Sequence, residues 1–148
     1  MKNQVMIFDP RSIQQGVIAG ILMASFLGFL SVTGAYGSSS LKYIKYLLLL
    51  GVIARALYYI RSKVNENQFF VSSIKKGFVI SLIGGAIVTL VNFGLFLIYP
   101  EYSIEKFNIS PDTMGQLHMV NAALIVEIVV LGLIGTFVIY QGLKHNKQ

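Results

Sequence analysis

The stretch GFVISLIGGAIVTLVNFGLFLIY, residues 77–99, runs for 23 residues without a charged side chain. At about 1.5 Å of rise per residue a helix of this length reaches about 35 Å, enough to cross a hydrocarbon core of about 30 Å. The run is continuously apolar, whereas a lipid-facing barrel strand alternates apolar and polar positions over about ten residues. Working outward, three more runs of similar character cover 13–36, 41–60 and 116–140. Together they predict an all-α protein, a polytopic membrane four-helix bundle made of two helical hairpins. Four spans with short connections use up a chain of 148 residues, so residues 1–148 form a single transmembrane domain with no separate soluble unit.

Composition agrees. With 55% hydrophobic and only 12% charged residues there is too little polar surface to cover a soluble globule. The chain has no cysteine, which removes disulfides, thiolate metal sites and cysteine nucleophiles. A basic residue before the first run, with Ala35, Tyr36 and Gly37 after it, imitates a secretory leader. Asp9 in the leader and the length of the apolar stretch favour a retained span.

The basic residues set the expected orientation, because Lys and Arg flanks resist translocation. With both termini cytoplasmic, Lys2, Arg11, Arg61, Lys63, Lys75, Lys76, Lys144 and Lys147 lie on the cytoplasmic side. Lys42, Lys45 and Lys106 lie opposite, and Arg55 lies within the second span. The net charge of +6 is therefore read as topology. No basic groove interleaved with exposed aromatics points to nucleic acid. Arg61, Lys63, Lys75 and Lys76 are expected to meet lipid headgroups, with Phe69 and Phe70 as interfacial anchors.

The connections carry their own signals. Gly37 to Ser40 is a tight turn that suits only an antiparallel pair, and Ser62 to Lys76 has room for one interfacial helical turn. Pro100 stops the third helix. Ser110, Pro111 and Asp112 place a capping hydroxyl, a first-turn proline and an acid in helix-starting order, so the fourth helix is expected to begin near Pro111.

Small residues repeat every four positions: Gly16, Gly20, Ala24 and Gly28 on the first span, and Gly77, Ser81, Gly85 and Thr89 on the third. Such stripes let helix backbones approach closely, which matters in lipid because apolar burial no longer drives association. The stripes coincide at an offset of 61, as a duplicated hairpin would produce. They serve contact within the chain or contact with a partner.

Arg55 and Glu127 are the charges well inside the apolar runs. A central ionisable residue costs about 2.5–3.5 kcal/mol on insertion scales and marks a functional candidate. Counting residues from the cytoplasmic ends places Glu127 at the depth of Asn92, with Thr89 one turn away, and predicts a mid-membrane polar cluster. Three roles compete for Glu127: a protonated acid hydrogen-bonded to Asn92, a site on a proton or solute path, and a partner for a basic residue on another subunit. Arg55 either reaches towards Glu127 or extends to the cytoplasmic headgroups.

Catalytic signatures are missing: no H-E-x-x-H, phosphate-cradling glycine loop or nucleophile elbow. His118 and His145 flank opposite ends of the fourth span, too far apart to share a metal, with His118 placed among the outer headgroups. No cofactor and no metal is expected.

The order of features resembles the small four-helix membrane proteins of Bacteroidetes classed as the DUF4199 family. Its carriers are a Gly-rich first helix, a short turn, a second helix ending in Tyr58, Tyr59, Ile60 and Arg61, and a segment from Phe69 to Gly77 leading into a Gly- and Ser-rich third helix. The resemblance covers nearly the whole chain and departs from it in the short, mildly acidic loop from Pro100 to Gly115. It implies a bacterial inner membrane, no assigned activity and no functional residues to carry over. The reading that follows is a non-catalytic accessory or structural subunit of a larger membrane complex, whose partners are the lipid bilayer and another membrane protein or itself. The alternative is a small oligomeric carrier of protons, solutes or lipid-linked substrates that uses the mid-membrane polar residues.

Overall fold

The computed structural model describes residues 9–33, 41–98 and 114–145. Four helices make up almost all of it: α1 (Pro10–Val32), α2 (Ile44–Arg61, preceded by a 3-10 turn at Leu41–Tyr43), α3 (Glu66–Ile98) and α4 (Met114–His145). No strand occurs among the described residues.

Three of the helices contain stretches long and apolar enough to cross a membrane: Pro10–Leu30, Gln68–Leu97 and Leu117–Lys144. The helix α2 differs. Its 18 residues, about 27 Å long, carry Lys45, Arg55 and Arg61, so the apolar run expected over 41–60 is too charged to be placed with the other three.

The boundaries also differ from expectation. The third helix starts at Glu66 rather than Gly77, and so the segment expected to hold one interfacial turn is instead the first three turns of α3. Nothing between Glu66 and Gly77 breaks a helix, since this stretch lacks Pro and Gly. The turn at Gly37 to Ser40 and the expected helix start near Pro111 lie outside the described residues.

Helix order around the bundle is α1, α2, α4, α3, with α3 packed most extensively against α1 and α4. On the α1–α3 side the helices run parallel, because a Cβ at Gly16 would fall 2.7 Å from the Ile83 Cβ and one at Gly20 2.7 Å from the Ile87 Cβ. The return contact is made by Gly84 of α3, over which Met23 and Ala19 lie. On the α3–α4 side the helices are antiparallel. Gly77, Ser81, Gly85 and Asn92 face Thr136, Gly132, Ile128 and Asn121 in turn.

This second contact is reciprocal. Thr136 fills the space above Gly77, Ser81 fills the space above Gly132, and each hydroxyl donates back to the carbonyl four residues earlier at 2.7 Å. Neither hydroxyl is left unsatisfied in an apolar interface. The core between the helices is aliphatic, with Met23, Leu27, Leu49, Ile53, Leu57, Ile80, Leu124 and Ile128 all buried.

The glycines are not equivalent. Gly16, Gly20, Gly77 and Gly85 meet neighbouring helices of the same chain and Ala24 is buried, whereas Gly28 has nothing within 4 Å of an added Cβ. Gly20→Ala is therefore expected to lower stability by about 1–3 kcal/mol through overpacking against Ile87. Gly28→Ala is expected to be neutral or to stabilise by up to about 1 kcal/mol through helix propensity. Thermal unfolding of the two variants in detergent checks the contrast.

Candidate functional site

At one end of the bundle the start of α1, the end of α2 and the first turns of α3 meet, and most cations among the described residues collect there. Asp9 caps α1: its Oδ1 accepts the Ser12 backbone N–H at 2.8 Å, and its Oδ2 accepts the Ser12 hydroxyl at 3.0 Å. Lys76 of α3 donates to the same carboxylate and, at 3.0 Å, to Ser12 Oγ, tying α1 to α3. Burial pushes the Asp9 carboxyl up, but the hydrogen bonds from Lys76 and Ser12 outweigh that and hold it below its ordinary value of 3.8. A cap followed by proline, Asp9 and Pro10, is the same signal that marks Ser110 and Pro111. It was there to be read in the sequence.

Beside this cap, Tyr59 of α2 accepts hydrogen bonds from Arg11 and Lys63. Both cations also lie over its ring, at 4.9 Å and 4.2 Å from the centroid. Arg55, Tyr58, Tyr59, Arg61 and Ser62 line an open groove of about 650 Å³ on the outer side of α2. Arg55 is exposed in this groove, which settles its direction: it lies towards the basic end and not towards Glu127. Of the four residues expected to face headgroups, Arg61 and Lys63 sit around the groove, Lys75 is half-buried, and Lys76 is taken by Asp9.

Further along the bundle the polar residues separate. Asn92 is buried and its Nδ2 donates at 2.7 Å to Oδ1 of Asn121, also buried. The expected bond between Asn92 and Glu127 does not form, because Glu127 lies six residues from Asn121 on α4, about 9 Å along the axis. Depths counted from Gly77 and Tyr140 go astray because α3 begins eleven residues before Gly77 and α4 continues to His145. The pairing of Asn92 with Asn121 was legible another way, since residues equidistant from the middle of an antiparallel hairpin face each other. Thr89 lies a turn from Asn92 with its hydroxyl buried and without a hydrogen-bond partner among the described residues.

Glu127 is half-buried on the edge of α4 that faces α2, and it makes no hydrogen bond or ion pair among the described residues. One and two turns further along the same edge, Leu131, Ile134 and Gly135 join Leu50, Gly51 and Ala54 of α2 in an apolar groove of about 630 Å³. Leu49 and Leu50 lie beside Gly132 and Gly135. This register sets Arg55 about 16–20 Å from the level of Glu127.

Lys45, expected on the side opposite the termini, is a core residue of α2, 1% exposed, its ammonium 4.9 Å from the centre of the Tyr46 ring. The same register places it at the level of Glu127. Near the end of the bundle away from the basic cluster, exposed His118 stacks on Phe93 with ring centres 6.0 Å apart. No group of three metal-ligating side chains occurs among the described residues. The chain matches no family model, no curated protein and no solved structure.

Two measurements follow from these contacts. Asn92→Leu and Asn121→Leu should each destabilise the bundle by stranding a buried amide, and the double variant should recover part of the loss. Thermal melts of the cycle are expected to give a coupling energy of about 1 kcal/mol. Because the folded Asp9 carboxyl titrates below 3.8, the stability it supplies is complete above that pH and is lost as pH falls through the lower folded value. Melts taken between about pH 6 and pH 3 should show wild type losing stability in acid relative to Asp9→Asn, whose profile lacks this component.

Proposed function

We propose that this chain is a non-catalytic subunit of a larger membrane assembly, and that it presents the face formed by α2 and α4 to a transmembrane helix of another protein. The observation that carries this reading is Glu127. A carboxyl halfway along an apolar helix, half-exposed and without a partner in its own chain among the described residues, is costly in lipid unless something meets it. The groove beside it supports the same reading. Gly51 and Ala54 on α2 and Gly135 on α4 keep it shallow-walled and apolar, which suits a helix held by close packing.

The partner helix on this account carries a basic residue or a hydrogen-bond donor at the depth of Glu127. In this reading the chain lies in a bacterial inner membrane with all four helices crossing and both termini cytoplasmic. The gathering of cations at the end where α1 begins supports the cytoplasmic placement of that end. The alternative of an oligomeric carrier has less in its favour. Arg55, Glu127 and Asn92 stand at three different levels, and Asn92 is engaged by Asn121.

The protein extracted gently from its own membrane and weighed intact is expected to carry one other membrane protein in fixed stoichiometry. Glu127→Gln should reduce that retention about tenfold or more. Gly51→Phe should do the same by filling the groove, without disturbing the fold, since an added Cβ there meets nothing within 4 Å. A homodimer with no other chain contradicts the reading, as does full retention by both variants.

A further inference from the structure

The groove at the basic end has an uncompensated charge that partner docking does not use. Its lining holds two guanidiniums, Arg55 and Arg61, two phenols and the Ser62 hydroxyl, and no acid among the described residues. Neither Arg55 nor Arg61 has an ion-pair partner among the described residues. Arg11 and Lys63 flank the same groove, both held on Tyr59. Asp9, the acid built into this end, is occupied by Lys76 and Ser12. Two arginines thus line one open cleft of about 650 Å³, and two further cations are held on Tyr59 of its wall.

The position narrows what can enter. Arg55 lies six residues before Arg61, about 9 Å along α2, between the apolar neighbours Ala54 and Ala56. Tyr58, 71% exposed, stands beside it where aromatic side chains gather at a membrane–water boundary. Two guanidiniums at staggered depth, with hydroxyl donors between them, match the oxygens of a phosphate, which planar guanidinium forks bind through paired hydrogen bonds.

We propose that this groove binds the phosphate of an anionic membrane phospholipid. A phosphodiester carried at headgroup depth is already level with Arg55 and Arg61, and its acyl chains stay in the bilayer. A zwitterionic lipid presents the same phosphate together with an ammonium, which the four cations repel. Selection is therefore for net negative headgroups. The contact is separate from the α2–α4 face: it lies at the end of α2 and involves neither Glu127 nor Gly51.

The full-length protein in nanodiscs of equal phosphatidylglycerol and phosphatidylcholine, released and weighed intact, tests this. Wild type is expected to retain phosphatidylglycerol in preference, and Arg55→Gln with Arg61→Gln to lower that preference about tenfold or more. Arg55→Lys with Arg61→Lys, which keeps charge but removes the forks, should fall between them. Lys144→Gln with Lys147→Gln removes the same charge from the C-terminal end of the chain and should leave the preference near wild type. Equal loss in both glutamine pairs would overturn the site in favour of diffuse surface charge. Absence of any preference in wild type, or displacement of the lipid by millimolar inorganic phosphate, would overturn the lipid assignment. Both arginines are exposed or half-exposed, and unchanged thermal melting of the variants separates loss of binding from loss of fold.

Discussion

Close approach of α3 to two neighbours at once is the constraint on which the bundle depends. In lipid, apolar side chains gain nothing by leaving solvent of equal polarity, so helices hold together through contact area and satisfied polar groups. The α3 helix meets that requirement on two faces. Gly84 receives Met23 and Ala19 while Ile83 and Ile87 fill Gly16 and Gly20. On the other face Gly77 and Gly85 lie against α4. The interlock of Thr136 over Gly77 and Ser81 over Gly132 fixes register as well as distance, because a slip by one turn would drive hydroxyl against side chain.

Once that register is fixed, the placement of polar groups follows. Asn92 meets Asn121 because both belong to the same antiparallel ladder as Gly77 and Thr136. Glu127 falls on the same face of α4 as Leu131, Ile134 and Val138, which line a groove with α2. At the opposite end of α2, Arg55, Tyr58, Tyr59 and Arg61 line a second open groove. The chain therefore has a tightly packed side, α1 with α3 and α3 with α4, and a side built from α2 and α4 that retains open volume and unpaired charge. The proposed partner contact belongs to that second side, and the proposed lipid site lies apart from it at the end of α2.

Much of the architecture was legible in the sequence because length and continuous apolarity determine helix number in a membrane. The four-residue stripes were legible for the same reason, since nothing but close packing explains Gly16 and Gly20 facing Ile83 and Ile87. Depth was not legible. Counting from apparent span ends mistook the start of α3 by eleven residues, and the error carried into the pairing of Asn92. The burial of Lys45 beside Tyr46 was not legible either, because a cation near a helix start gives no sign of the face on which it falls. Arg55 could be assigned a direction only when Tyr58, Tyr59 and Ser62 were seen to share its groove. For the site, residue types were informative and their partners were not.

On the proposed reading the α2–α4 face, and not the α1 face, meets another protein inside the bilayer. Photo-crosslinking in native membranes, with the reactive residue placed in turn at Ile134, Val138, Ile18 and Ile21, addresses it most directly. All four are exposed apolar positions, two on each face. One protein adduct of constant mass is expected from Ile134 and Val138, lost on Glu127→Gln, with only lipid adducts from Ile18 and Ile21. Protein adducts from the α1 positions alone, or lipid adducts from all four, would contradict it.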